Sequence, residues 1–184
     1  MSTIQIPYPS LVLLIGPAGA GKTTFALKHF LETEVVSSDR CRAMIIDDEA
    51  DQRVSAQAFS VLRQITRYRL QNRRLTVIDA TNLERSSRRS ILTLAEVAQL
   101  PTVAILFDVG MDALKANNRK RSERVVPDSI IESQFAALQL ARTQLSREGY
   151  AFSYELDATT IATAEVERRP SGSPEASGEE LSGA

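Results

Sequence analysis

The chain has 184 residues, 43% hydrophobic and 24% charged, with a net charge of -1 and one cysteine, Cys41. This describes one α/β domain plus a tail and argues against a second core, a disulfide framework or a generic cationic nucleic-acid coat. The N-terminal MSTIQIPYPS lacks a basic leader region, and its apolar run spans only Leu11 to Ile15, so secretion and a membrane span are not expected and a cytoplasmic setting is.

In chain order, residues 1 to 9 read as an extended lead-in with prolines at 7 and 9. The first strand is Leu11 to Ile15, and a helix follows from about Lys22 to Leu31. A short strand, Glu34 to Ser37, leads into Ser38-Asp39-Arg40-Cys41-Arg42 and an acidic loop, Asp47 to Asp51. A long helix is expected over Val54 to Asn72, with Phe59, Leu62, Ile65 and Leu70 apolar. Strands at Leu75 to Asp79 and Thr102 to Phe107 bracket a helix over Glu84 to Leu100. Asp112 to Asn118 starts a helix that runs into an arginine-dense segment. Pro127 to Arg147 is a helix with proline in its first turn, stopped at Gly149. The last strand is Tyr150 to Leu156, followed by a helical turn over Thr160 to Arg168.

Strands alternate with helices, and the strands are continuous apolar runs. With the glycine-rich GPAGAGKT, Gly16 to Thr23, between the first strand and the first helix, the expected fold is a three-layer α/β/α P-loop domain with a five-stranded, mostly parallel sheet and a helical lid. The domain is placed at residues 1–168, its lid at about 117–127, and a disordered acidic tail at 169–184, where Ser, Gly, Pro and Glu dominate. Without the five acids and two bases from Glu165 onward, 20 basic residues face 18 acidic ones, so the body is slightly positive.

GPAGAGKT, Gly16 to Thr23, joins the first strand to the first helix, the context in which G-x-x-x-x-G-K-[ST] binds phosphate. Glycines 16, 19 and 21 permit positive φ and close approach of the backbone to a ligand. Successive N–H groups form an anion nest at the helix N-terminus. Gly16, Pro17, Ala18, Gly19, Ala20, Gly21, Lys22, Thr23 and Thr24 are therefore the candidate nucleotide-phosphate residues. Lys22 reaches the β- and γ-phosphates and the Thr23 hydroxyl sits on Mg²⁺, so ATP and Mg²⁺ are the expected cofactors.

Strand ends on such sheets face the ligand. Asp79, ending LTVID, resembles a Walker-B acid that acts indirectly on the metal; the bland alternative is a cap on the next turn. The residue after it is Ala80, not Glu, which tilts the reading from a motor ATPase towards transfer to an organic acceptor. Asp39 is placed to take a proton from an acceptor hydroxyl, with Arg42 three residues on to contact the acceptor. The alternative is a helix N-cap at Ser38 or Asp39. Arg119, Lys120, Arg121 and Arg124 read as a cationic lid over the triphosphate. The arginines at 63, 67, 69, 73 and 74, and at 85, 88 and 89, read as wet helix faces or as polynucleotide-backbone contacts. His29 reads as a surface residue and Cys41 as packing.

The blocks GPAGAGKTTFALKHF, EVVSSDRCR, DDEADQ, LTVIDATN, RSERVVPDSII and LSREGY together resemble the kinase module of bacterial polynucleotide kinase-phosphatase, an RNA end-healing enzyme, over about residues 8 to 168. The resemblance implies transfer of the ATP γ-phosphate to a 5′-OH end of RNA or DNA. It makes Lys22 and Thr23 the phosphate and Mg²⁺ residues, Asp39 the general base, Arg42 the acceptor-phosphate contact and Arg121 a lid arginine. Asn117 stands where the family carries a second lid arginine, with Arg119 and Arg124 nearby as substitutes. The family's phosphatase and ligase-like parts have no counterpart in this chain, so separate repair partners are expected. The alternatives are a small-molecule kinase acting on a nucleoside or sugar, and a low-turnover ATP-binding switch. RNA over DNA, ATP over GTP and the oligomeric state are left open.

Overall fold

The computed structural model describes residues 3–120 and 125–170. Its centre is a five-stranded sheet of β2 (Leu11–Ile15), β3 (Val35–Ser37), β4 (Thr76–Asp79), β5 (Thr102–Phe107) and β6 (Phe152–Leu156), ordered β3-β4-β2-β5-β6. Every pairing in it is parallel. Consecutive side chains alternate between faces. Leu11, Leu13 and Ile15 enter one core, with Leu62, Ile91, Ala95 and Leu138, while Val12 and Leu14 enter the other, with Phe25, Ala26 and Phe107. The inner strands β2 and β5 are buried throughout and so are nearly all apolar, whereas the edge strand β6 alternates, with Ser153 and Glu155 exposed.

Helices α1 (Lys22–His29), α2 (Ser38–Ile46), α3 (Ser55–Gln71), α4 (Arg85–Ala98), α5 (Met111–Arg119), α6 (Asp128–Leu145) and α7 (Ala158–Thr163) cover the faces. The stretch Ser38–Ile46, for which the sequence names no element, is a full helix. The α6 helix serves both cores: Ile131 packs beside α1, and Leu138, Ala141 and Leu145 pack beside α3 and α4.

Two sequence expectations change at the termini. The lead-in is strand β1 (Thr3–Tyr8), and the segment expected to be helical up to Arg168 turns into strand β7 (Glu165–Pro170) after Thr163. The two pair in parallel, from Thr3 with Glu165 to Tyr8 with Pro170. Ile4 and Ile6 of β1 are fully buried against the α1-side core. Tyr154 ties β1 to the main sheet: its hydroxyl accepts the Gln5 N–H at 3.1 Å and donates to the Gln5 carbonyl at 3.0 Å. Arg168 forks onto Glu34 with bonds of 2.9 and 2.8 Å. Arg169 and Pro170, expected to begin the disordered tail, instead end β7, because they pair with Pro7 and Tyr8; the rest of the expected tail, 171–184, lies outside the described residues. Among the described residues, no helix is long and apolar enough to cross a membrane.

Candidate active site

Register sets the site. Ser37 and Leu14 both lie level with Asp79, so β3, β2 and β4 end together on one rim. The 16–21 loop, the start of α2 and the end of β4 therefore gather at the carboxyl edge of the sheet, where ligands of parallel sheets bind.

The loop's glycines answer different needs. Gly19 and Gly21 adopt φ of 83° and 88°, a region L side chains rarely enter. Gly16 does not share the positive φ expected of it; there a Cβ would lie 3.0 Å from the Phe107 carbonyl oxygen, so glycine is needed for close packing. Gly21 is also the N-cap of α1, with no capping side chain and no acid in the first turn. Neither a capping side chain nor a first-turn acid competes with an anion for the positive end of this helix.

Lys22 is buried and folds back over the loop, its Nζ donating to the carbonyls of Gly16 at 2.8 Å and Pro17 at 2.7 Å. The Thr23 hydroxyl donates to Asp79 Oδ2 at 2.8 Å. The hydroxyl of the phosphate loop thus meets the acid that ends β4. Among the described residues, no group of three or more His, Cys, Asp and Glu could hold a metal by itself. Hard oxygen donors such as Thr23 and Asp79 suit Mg²⁺, which takes most of its shell from water and phosphate.

Ser37 is the N-cap of α2, its Oγ accepting the Arg40 N–H at 3.5 Å. The helix cap, weighed as the alternative role of Ser38 or Asp39, thus falls one or two residues earlier, on Ser37. Asp39 sits in the first turn, where its charge favours the helix dipole, and forms an ion pair with Arg42. The Arg42 side chain is 5% exposed and that of Asp39 38%. Arg42 Nε also donates to the Glu49 carbonyl at 2.7 Å. The pair thus presents Asp39 to solvent and buries most of Arg42 behind it. Cys41, between them, is buried, and burial pushes its thiol up, as packing requires.

The segment expected to form a lid, residues 117–127, falls partly outside the described residues, and Arg121 and Arg124 with it. Arg119 is described and lies 3.5 Å from Asp128. Asn117, which the resemblance aligns with a lid arginine, donates its amide to the Gly19 carbonyl at 3.0 Å. From α6, Gln134 Oε1 accepts the Ala18 N–H at 2.8 Å. The α5 and α6 helices therefore each hold the phosphate loop through one amide.

Three positions carry more than their residue types announce. Asn82 adopts φ 49° and donates to the Leu14 carbonyl at 2.7 Å, while the Gly16 N–H donates to the Thr81 carbonyl at 2.9 Å. These bonds fasten the loop after β4 to the root of the phosphate loop; Asn82 belonged to the VIDATN block, the only signal of its role. Arg88, read as exposed, is fully buried. Its guanidinium meets Glu148 at 2.8 and 2.6 Å, Gln144 at 3.0 Å, and the carbonyls of Asn82 and Leu83. It projects one turn ahead of Ile91, Leu92 and Ala95, so the apolar stripe of α4 marks its direction. His29, expected at the surface, is half-buried on the Phe25 ring, centroids 4.5 Å apart.

The family model of an AAA domain (AAA_33) matches residues 11–145. Among curated proteins, none matches the chain significantly. Among solved structures, a chain of the Pnkp1/Rnl/Hen1 RNA repair complex is 26% identical with a TM-score of 0.59, over 76% of this chain and 47% of its own. This chain thus spans about half the length of that protein. A gluconokinase from Sinorhizobium meliloti 1021 is 18% identical with a TM-score of 0.52, over 86% of this chain and 88% of its own. A shikimate kinase from Acinetobacter baumannii in complex with shikimate is 16% identical with a TM-score of 0.53, over 84% and 88%. Those two likenesses concern the fold, which is that of a P-loop kinase and implies nucleotide binding.

Proposed function

The chain belongs to the AAA_33 family of AAA domains, and from that footing we propose that it is an ATP-dependent polynucleotide 5′-hydroxyl kinase. The observation that carries the reading is the placement of Asp39. A half-exposed carboxylate, braced by a buried arginine, opens the helix after β3 on the same rim as the phosphate loop. Such a carboxylate can accept a proton from an incoming alcohol.

The reaction then runs on this chain's own groups. Nest N–H groups and Lys22 hold the triphosphate; Lys22 exchanges its bonds to the Gly16 and Pro17 carbonyls for phosphate oxygens. The acceptor oxygen attacks the γ-phosphorus as the bond to the β–γ bridging oxygen breaks. The hydroxyl proton passes to Asp39, and ADP leaves with the bond's electron pair. Arg42 holds Asp39 in position and, with the guanidinium N–H groups it does not already use, contacts the acceptor phosphate. Bound Mg²⁺ supplies charge neutralisation at the β- and γ-phosphates. Arg119, Arg121 and Arg124 are the proposed lid cations, and separate repair proteins the proposed partners, a role supported by the likeness to a repair-complex chain.

A small-molecule kinase is the second reading, supported by the near full-length likeness to gluconokinase and shikimate kinase. Incubation with γ-labelled ATP and a panel of 5′-OH oligoribonucleotides, oligodeoxynucleotides, nucleosides, gluconate and shikimate separates the readings. Label is expected on oligonucleotides. Label on a small molecule alone favours the second reading, and ATP binding with no labelled acceptor leaves a nucleotide switch. Asp39→Ala is expected to abolish transfer while ATP still binds; retained transfer would remove Asp39 as the base.

A further inference from the structure

The charge of this protein is unevenly distributed. Residues 55–74, which hold the whole of α3 and the turn after it, contain five arginines and no acid, in a chain whose net charge is -1. The buried side of α3 is Ala58, Leu62, Thr66 and Leu70, at four-residue spacing. The opposite side therefore presents two adjacent rows: Ser60, Gln64 and Tyr68 in one, Arg63 and Arg67 in the other. Arg63, Arg67 and Tyr68 are exposed. Among the described residues, Arg63 has no carboxylate partner, and Arg67 lies over the Tyr68 ring at 5.4 Å. Arg69 and Arg73, by contrast, are turned to the carbonyls of Leu75 and Ala98.

These rows border a groove of about 360 Å³ between α3 and α4, lined by Phe59, Ser60, Arg63, Gln64, Arg67 and Leu94. No carboxylate lines it. An open groove with two guanidinium groups, two neutral hydrogen-bonding side chains, an apolar floor and an exposed tyrosine at one end suits a strand of alternating phosphates and rings. Its position suits the same ligand. The α2 and α3 helices pack together, and Arg42 of α2 is bonded to the connection that leads into α3. The nearest acid before the helix, Asp51, is neutralised by Arg53 through bonds of 2.9 and 3.0 Å.

We propose that the exposed face of α3, with the groove it shares with α4, binds the single-stranded body of the acceptor, Arg63 and Arg67 on phosphates and Tyr68 on a base. The inference rests on the kinase reading above and names the substrate class of that site: a polynucleotide of several residues, with its 5′ end at Asp39 and its body trailing along α3. A gluconate-sized acceptor has no use for this surface.

The test is equilibrium binding of a fluorescent 12-residue 5′-OH oligonucleotide to the full chain, measured by anisotropy, alongside the labelling assay. The R63A/R67A double variant is expected to bind at least tenfold more weakly, with the slope of log K against log salt reduced by about 1.4, the value for two phosphate contacts on a single strand. Y68A is expected to weaken binding by about tenfold at unchanged salt slope, the mark of a stacking contact. Melting temperatures confirm that the variants are folded, and R89A, which removes a charge paired with Glu96, controls for net charge. Equal affinity of R63A/R67A and the parent, or equal losses in R89A, overturns the proposal. Oligonucleotide binding lost in R63A/R67A without any oligonucleotide labelling by the parent keeps the groove and rejects the kinase reading. Labelling of oligonucleotides by the parent with unchanged KM in R63A/R67A does the reverse.

Discussion

Gln134 of α6 accepts the backbone N–H of Ala18 at 2.8 Å, so a side chain from α6 occupies a donor of the phosphate loop. A bound phosphate competes for that N–H. Replacing Gln134 with leucine removes the competitor and one hydrogen bond of the unliganded state, worth about 1 kcal/mol. Gln134→Leu is therefore expected to lower the melting temperature without nucleotide by about 2–4 °C and to tighten ATP binding severalfold. Thermal melts with and without ATP, together with calorimetric titration, check both effects; weaker ATP binding would mean that the bond braces the nest.

Thr23 and Asp79 meet through a single hydrogen bond of 2.8 Å. If Asp79 orients the metal-bound hydroxyl from outside the coordination shell, its loss weakens the metal more than the nucleotide. Asp79→Ala is expected to raise the Mg²⁺ concentration for half-maximal transfer by about 10–100-fold, with metal-free ATP affinity little changed. A titration of rate against Mg²⁺ at saturating ATP measures this.

The Arg88–Glu148 pair is buried on both sides, at 0% and 5% side-chain exposure. Removing one partner strands a charge in a medium that solvates it poorly. Glu148→Ala is expected to cost about 3–5 kcal/mol, read as a large drop in the denaturation midpoint. Arg88→Met/Glu148→Leu should recover part of that loss but not all, because the carbonyls of Asn82 and Leu83 also lose their donor.

Burial first, and the neighbouring Lys28 second, hold the His29 imidazole below its ordinary value of 6.5, with Glu165 of β7 opposing them. The folded state therefore prefers neutral His29. Stability from this group is intact above pH 6.5 and falls as the pH drops through the lower folded value, because the unfolded chain binds the proton more readily. Denaturant midpoints between pH 7.5 and 5 should decline less steeply in His29→Gln than in the parent protein.

Much of this architecture could be read from residues alone. Strands such as LVLLI and TVAILF are apolar throughout, and a parallel sheet covered on both faces is what such runs form. The loop-to-helix step at Gly21 and the opening of α6 after Pro127 carry local chemistry that allows few other conformations. The terminal strands were harder. TIQIPY and EVERRP are short, interrupted by proline or dense in charge, and become strands only because each finds the other across the chain. Arg88 was misread for a related reason: arginine is a surface residue by type, and only Glu148, sixty residues away, makes its burial affordable. At the site, Lys22, Thr23 and Asp79 followed from the spacing of motifs. Gln134 and Asn117 did not, since an amide that holds a backbone group has no fixed spacing from it.

The pairing of β1 with β7 also dictates when the domain can be completed. During synthesis, Ile4 and Ile6 emerge long before the strand that pairs with them, which begins at Glu165. Until then these side chains lack their final cover, and the clasp is among the most sequence-distant contacts in the chain, the kind that forms slowly. A nascent chain halted before Glu165 would carry a nearly whole phosphate loop and sheet beneath an unclosed apolar seam, a species prone to self-association or chaperone capture.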